Sequence, residues 1–359
     1  MKTNHLFNTI IGGSLITSLL FSSCKKDKEE TKPAAATYET GVFISNEGPF
    51  QNGTGTISFF DRNTKTVTND LFQLVNKFPL GNIVQSVEAY NGKTYMVVNN
   101  AEKIEVVNTK DFQSEGTIKG LSMPRYFLGI DNNKGYVSQW ETNGAKSSIA
   151  VVDLTTYAIV KTIVVDNGAE RMLKSGNNIY VACSGGVGKA NTVAVINSLT
   201  DELVKTIVVG GSPNSIQQDS NGKLWVLCGG IQDWQNAANN TAGALVRINS
   251  NDNSIEKTII FNSTSEHPYH LTSNAAKTNL YYTYANKVFE QDVNSETLAP
   301  SAFINRSFYS IGVDPLNDYI YASDAKDYNS NGWIIRYASS GAAVDSFSVG
   351  IVPGNFYFN

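Results

Sequence analysis

The chain is poor in the residues that most chemistry needs. Its 359 residues include three cysteines and three histidines, and its formal net charge is only −4. Cys183 and Cys228 occupy matching places in "YVACSGG" and "LWVLCGG". Equivalent strands of neighbouring repeats stand too far apart for the Cα limit of a disulfide, about 7 Å. Two buried free thiols are therefore expected. His5 lies in the leading segment, which leaves His267 and His270 in "HPYH". In an extended strand their odd spacing sends them to opposite faces, against a shared metal or a base–orienter pair. No nucleophile motif is present. "GGVGKAN" carries the glycines of a phosphate loop but sits between strand-like runs, without the helix such a loop needs. Removing Lys2 with a leader brings the charge to about −5, which gives no support to a nucleic-acid or anionic-membrane surface. Nothing calls for a cofactor.

What is plentiful is repetition. "VKTIVVD" at 160–166 and "VKTIVVG" at 204–210 stand 44 positions apart. Anchoring on the apolar residue that opens the preceding strand gives Ile57, Ile104, Ile149, Val193, Leu245, Val288 and Trp333, at intervals of 47, 45, 44, 52, 43 and 45. Four residues past the anchor stand Asp61, Asn108, Asp153, Asn197, Asn249 and Asp292; only the seventh copy differs, with Tyr337. Within a copy, "TVAVIN", "LVKTIVV", "SIQQ" and "KLWVL" alternate with period two and are rich in β-branched and aromatic residues. The Asp or Asn after the anchor fits turn chemistry, its side chain accepting from N–H groups two residues on. Asn91-Gly92 and Asn221-Gly222 fit two-residue hairpin turns.

Each copy thus reads as four strands. A four-stranded sheet cannot bury both faces alone, whereas seven arranged radially can. The fold class expected is all-β, a seven-bladed β-propeller. "VPGNFYFN" at the C-terminus matches the inner-strand phrase "SPNSIQQD", and "TGVFISNEG" at 40–48 matches the second-strand phrase "KLWVLCGG". The last blade then combines both ends of the chain and leaves no open edge. The run "YVACSGG…TVAVINSLTDELVKTIVVGGSPNSIQQDSNGKLWVLCGG" resembles the YVTN-type repeat of YncE-like propellers, which also occur in cell-surface proteins. The resemblance covers roughly residues 40–359 and speaks for fold more than function.

The first residues stand outside this pattern. Lys2, a largely apolar run, and Ser22-Ser23 before Cys24 resemble a lipoprotein signal, although Phe21 replaces the usual aliphatic residue. The expected organisation is a signal peptide at 1–23, lipidated Cys24 with a disordered tether at 24–37, and the propeller at 38–359. "KKDKEETKPAAAT" has no apolar face to bury. Lysine and acidic residues behind such a cysteine resemble the surface-export signals of Bacteroidetes lipoproteins. That implies an outer-membrane protein anchored by lipid alone and facing the cell surface.

Candidate function collects at one face. Loops leading into the inner strands and loops joining second to third strands share a side of a propeller. Alignment on the pattern P-x-x-I supplies two rows of mouth residues. The first is Gln85, Arg125, Glu170, Asn214, Tyr269, Tyr309 and Gly354; the second is Ser86, Tyr126, Arg171, Ser215, His270, Ser310 and Asn355. Alternation aims one row at the channel and the other between blades, and the pattern admits either assignment. The long loops "NEGPFQNGTG", "QWETNGAK", "CSGGVGKAN", "GGIQDWQNAANNTAG" and "SDAKDYNSNG" differ from copy to copy, as binding loops on a repetitive scaffold do. They bring Phe50, Trp140, Trp234 and Tyr328 to the rim. Aromatics with amides suit a bulky, partly polar small molecule or a glycan. His270 with Glu170, Arg171 and Arg125 would serve a lactonase- or lyase-like enzyme, though without a nucleophile motif a non-enzymatic role is expected. "DYNSNG" (Asp327, Asn329, Asn331) matches the opening of a calcium loop, but Ala338 stands where a bidentate Glu belongs. The architecture is similar to that of the cobalamin-capturing propeller lipoproteins of Bacteroidetes. That similarity implies a corrinoid ligand and a TonB-dependent outer-membrane transporter as partner. A protein-interaction or surface-layer propeller without a small ligand is the alternative.

Overall fold

The computed structural model describes residues 37–50, 53–141, 146–186 and 188–359. The leader, Cys24 and the tether through residue 36 lie outside the described residues, as do loop positions 51–52, 142–145 and 187.

Seven antiparallel sheets form a seven-bladed propeller. Blades 1 to 6 follow in chain order over 84–118, 124–164, 169–208, 213–260, 269–304 and 310–351. Blade 7 is built from both ends: Pro353–Phe358 is its inner strand and pairs with Val42–Asn46, followed by Thr56–Asp61 and Thr66–Thr68. The inner strands contact one another in sequence, from Val84–Tyr90 through Pro353–Phe358 and back to Val84–Tyr90, so the ring is closed. The side chain of Arg62 completes the seam. It pairs with the buried Asp314 of blade 6 at 2.8 Å and donates to the Asn359 carbonyl.

Period-two alternation has a direct consequence here. Successive residues of each second strand face opposite neighbours, so every blade contributes to two cores. In Lys93–Val98, Tyr95 and Val97 pack toward blade 2, while Met96 and Val98 pack toward blade 7. Seven apolar clusters result, one at each blade interface. Burying these clusters is what holds the blades in a ring, since no single sheet has an interior of its own.

The repeated turn residue acts as the sequence suggests. Asp61, Asn108, Asp153, Asn197, Asn249 and Asp292 each accept a backbone N–H two residues on, at 2.7–3.1 Å. Asn91-Gly92 is a two-residue hairpin with both φ positive, at 50° and 74°. Asn221-Gly222 is not. It belongs to a longer loop from Asp219 to Lys223, in which the Asp219 carboxylate accepts from Asn221 and Lys223 N–H and Gly222 alone has positive φ. Two further departures concern the outer strands. Blade 5 has three full strands, its fourth being reduced to a bridge between Val288 and Ile304 within a segment containing Pro300; proline cannot donate to a ladder. After the short outer strand of blade 7, the helix Leu71–Asn76 buries Leu71 and Phe72 against the core between blades 7 and 1. Cys183 and Cys228 are free and buried, and burial pushes each thiol up to about 12.

Candidate functional site

The inner strands do not alternate cleanly at the mouth. In five of the seven blades the ladder slips by one or two residues at the start of the inner strand: between Val84 and Ser86, Pro124 and Tyr126, Ala169 and Met172, Pro213 and Ser215, and Tyr269 and Thr272. In blade 7 the same slip appears opposite Ser45 and Asn46 and leaves out Gly354. A bulge inserts an unpaired residue and re-aims its side chain. The skipped positions include Gln85, Arg125, Glu170, Asn214 and Gly354 of the first mouth row; Tyr269 stays paired with Thr283 and blade 6 has no slip beside Tyr309, yet all seven members of the row line one central cavity of about 1190 Å³. The second row divides. Ser86 and Ser215 are small, turn between blades and link them: Ser86 Oγ donates to the Arg125 carbonyl, and Ser215 Oγ accepts from Leu271 N–H. Asn355 Oδ1 likewise accepts from Val87 N–H. The large members Tyr126, Arg171 and His270 line the cavity with the first row, and Ser215 reaches it as well.

The structure therefore brings together Phe50, Gln85, Arg125, Tyr126, Trp140, Glu170, Arg171, Asn214, Trp234, Tyr269, His270 and Tyr309 in one wall. Tyr328 stands apart. It lines an adjoining side cavity of about 460 Å³ between blades 5 and 6, edge-on to Tyr309 at 5.7 Å. Blade 5 joins its second and third strands through only Ala285 and Asn286, and both line this side cavity.

The rim aromatics differ among themselves. Trp234 is 86 % exposed and Phe50 77 % exposed. Trp140 is packed into the cavity wall, its ring 4.1 Å from the Arg125 guanidinium. Trp234 is held outward by a braced loop. The Asp233 carboxylate accepts from Gln235 and Asn236 N–H, from the Asn239 amide and from Lys189, 3.1 Å away.

Charge in the wall is mostly paired. Arg125 meets Glu170 at 3.1 Å across the interface between blades 2 and 3 and also donates to Gln85 of blade 1. Burial raises the Glu170 carboxyl, with Arg125 opposing it. Tyr309 OH donates to Glu47 at 2.9 Å, and burial raises both groups. His270 is pushed down to about 4 by burial, reinforced by Arg171, so it is uncharged at neutral pH. Deeper in the channel, burial lifts Glu88 to about 8.

Both histidines line the side cavity, against the expectation that they diverge: His267 precedes the strand Tyr269–Ser273, and His270 within it has φ 62°. Their Nδ1 atoms are engaged separately, His267 with the Gly229 carbonyl at 2.7 Å and His270 with Thr283 Oγ1 at 3.2 Å. The calcium-like loop is organised as a turn. Asp327 Oδ1 accepts from Asn329 and Ser330 N–H, Oδ2 accepts from Ser330 Oγ, and Asn331 begins a strand. Among the described residues, no group of three His, Cys, Asp or Glu side chains is placed to hold a metal ion.

Sequence reasoning missed Glu47, Glu88 and the Lys189–Asp233 pair. Glu47 follows directly on the second strand Val42–Asn46, and Glu88 is four residues past the position aligned with the proline. Aligning those two further columns would have exposed them as ionisable residues where most other copies have neutral ones.

Comparison with known proteins agrees with this architecture. A family profile described as a domain of unknown function, DUF5074, matches residues 40–358. No curated protein sequence matches the chain. Similar solved structures include a quinonprotein alcohol dehydrogenase-like protein from Bacteroides thetaiotaomicron, at 14% identity and TM-score 0.65, covering 90% of this chain and 79% of that one. A periplasmic gluconolactonase from Pseudomonas aeruginosa is 12% identical with TM-score 0.62, covering 88% and 99%. Hydrazine synthase from Kuenenia stuttgartiensis is 14% identical with TM-score 0.57, covering 76% and 88%. At such identities the likeness concerns the fold alone.

Proposed function

Because the chain belongs to the DUF5074 family, whose description leaves activity open, we propose from the mouth itself that the protein captures a bulky, partly polar small molecule there. The observation that carries this reading is a single cavity of about 1190 Å³, walled by all seven inner strands and overlooked by Trp234 on a braced loop. Its volume exceeds the ~300–1,000 Å³ usual for drug-sized ligands, which favours a large one. An aromatic ring fixed in solvent costs apolar exposure and repays it by stacking on a ligand. A corrinoid has the required bulk and mixed polarity. The leader, Cys24 and tether support a lipid-anchored protein at the outer-membrane surface that hands the ligand to a TonB-dependent transporter.

Calorimetric titration of cyanocobalamin tests the ligand. Saturable binding at one per chain is expected, weakened at least about tenfold by Trp234→Ala, a loss of roughly 1.4 kcal/mol. Because Trp234 is almost fully exposed, the same variant should keep wild-type stability within about 0.5 kcal/mol. No heat with the wild type would end the corrinoid assignment.

One observation favours a second reading. An uncharged His270 in a cavity that also holds the cationic Arg171 has the protonation state of a general base. Lactone hydrolysis that His270→Ala abolishes would replace capture by catalysis.

A further inference from the structure

Arg171 does what no other cation in the mouth does. Arg125 is matched by Glu170, and Lys189 by Asp233. Arg171 lies with its guanidinium 4.6 Å from the centre of the Tyr126 ring, and among the described residues it has no hydrogen-bond acceptor or carboxylate partner. A guanidinium carries five N–H donors in a planar fork. Stacking occupies its face and leaves the edges open to the cavity.

Its position makes this unusual. In the second mouth row, Ser86, Ser215 and Asn355 serve as short links between blades. Blade 3 places a long cation in the same row, and there the ladder skips from Ala169 to Met172, leaving both Glu170 and Arg171 outside the regular pairing. The backbone thus gives up two ladder positions and turns Arg171 toward the channel. The groups around it do not neutralise it. Glu170 is engaged with Arg125, Glu47 with Tyr309, and His270 is uncharged. Burial biases the carboxyl of Glu88, further along the inner strand of blade 1, toward its neutral form.

We infer that Arg171 anchors an oxyanion, a carboxylate or phosphate group carried by the ligand of the mouth cavity. A planar fork with free edges meets either group through two parallel N–H···O bonds, and stacking on Tyr126 holds the plane in place. Trp234 lies on the same wall, so the ligand class is one that joins an aromatic or other flat apolar body to an anionic substituent. This deepens the capture reading and rests on the mouth being a ligand site.

The test is a ligand-observed NMR titration of the full chain with three probes of one shape: phenyl phosphate, benzoate and benzyl alcohol, at constant ionic strength. Both anions should bind at least about tenfold more tightly than the alcohol, as charge-assisted hydrogen bonds require. Arg171→Gln should bring them to the level of the alcohol, and Arg171→Lys should retain part of the difference. Arg171→Gln should remain folded, with a thermal midpoint lowered by no more than roughly a few degrees, since the stack on Tyr126 is the contact it gives up. Preference for phenyl phosphate or for benzoate identifies which oxyanion the site takes. Equal binding of all three probes, or anion affinity unchanged in Arg171→Gln, overturns the anchor. If Trp234→Ala then weakens all three equally, the mouth remains a ligand site without it. Absence of binding by every probe, the alcohol included, removes the anchor and counts against the cavity as well.

Discussion

Replacing Glu88 by glutamine should make the protein more stable in alkali and leave it unchanged in acid. Glu88 lies on the inner strand Val84–Tyr90, with Arg171 and Tyr357 as its charged and polar neighbours in the channel. Burial raises its carboxyl from an ordinary 4.5 to about 8, and Arg171 only partly opposes this. A carboxyl with a raised folded-state pKa keeps its proton in the folded protein after the unfolded chain has lost it. Its favourable contribution is complete below pH 4.5 and disappears as the pH rises through 8. The slope is about 1.4 kcal/mol per pH unit, so roughly three and a half units set a ceiling near ~5 kcal/mol. Water in the channel and local relaxation screen the charge, and an effect of about 1–3 kcal/mol is the working expectation. Urea unfolding of wild type and Glu88→Gln at pH 5 and pH 9 measures it, through midpoints compared at constant m. Glu47 and Glu170, also raised by burial, titrate in both proteins and cancel in the difference. The variant should gain about 1–3 kcal/mol relative to wild type at pH 9 and no more than about 0.5 kcal/mol at pH 5, half a unit above the unfolded value. A difference of equal size at both pH values would refute the reasoning.

Other perturbations probe the ring and its loops. Asp314→Asn removes the charge that Arg62 meets at the blade 6–blade 7 seam, leaving a largely buried guanidinium uncompensated; a loss of about 2–4 kcal/mol in chemical denaturation is expected. A change below about 0.5 kcal/mol would mean the seam is held by the strands alone. Gly168→Ala should cost about 2–4 kcal/mol and speed amide exchange in the 184–190 loop. Gly168 has φ 71°, and a Cβ there would stand 2.1 Å from the backbone nitrogen of Gly186. Cys183 and Cys228 should resist a thiol reagent in the native protein and both label after denaturation, as peptide mapping can show. Failure to label in denaturant would indicate a disulfide, which the free buried thiols contradict.

Much of this protein is written locally. The period, the alternation within each copy and the Asp or Asn after each anchor specify a strand, its turn and its neighbour, because those interactions join residues close in the chain. Seven copies that cannot bury their faces separately then require a ring. The complementary end phrases, 40–48 and 352–359, require that it close. The mouth loops were legible as departures from the repeat, and the seven residues of the first mouth row line one cavity. What the chain alone did not reveal depends on contacts between blades. The bulges that free Gln85, Arg125, Glu170, Asn214 and Gly354 from the ladder appear only in its register. Trp140 beneath Arg125, the Arg125–Glu170 pair and the meeting of Glu47 with Tyr309, residues 262 apart in sequence, exist only once the ring has closed. The protonation of Glu88 and His270 likewise belongs to the closed ring, since desolvation is a property of everything packed around a group and not of its neighbours in the chain.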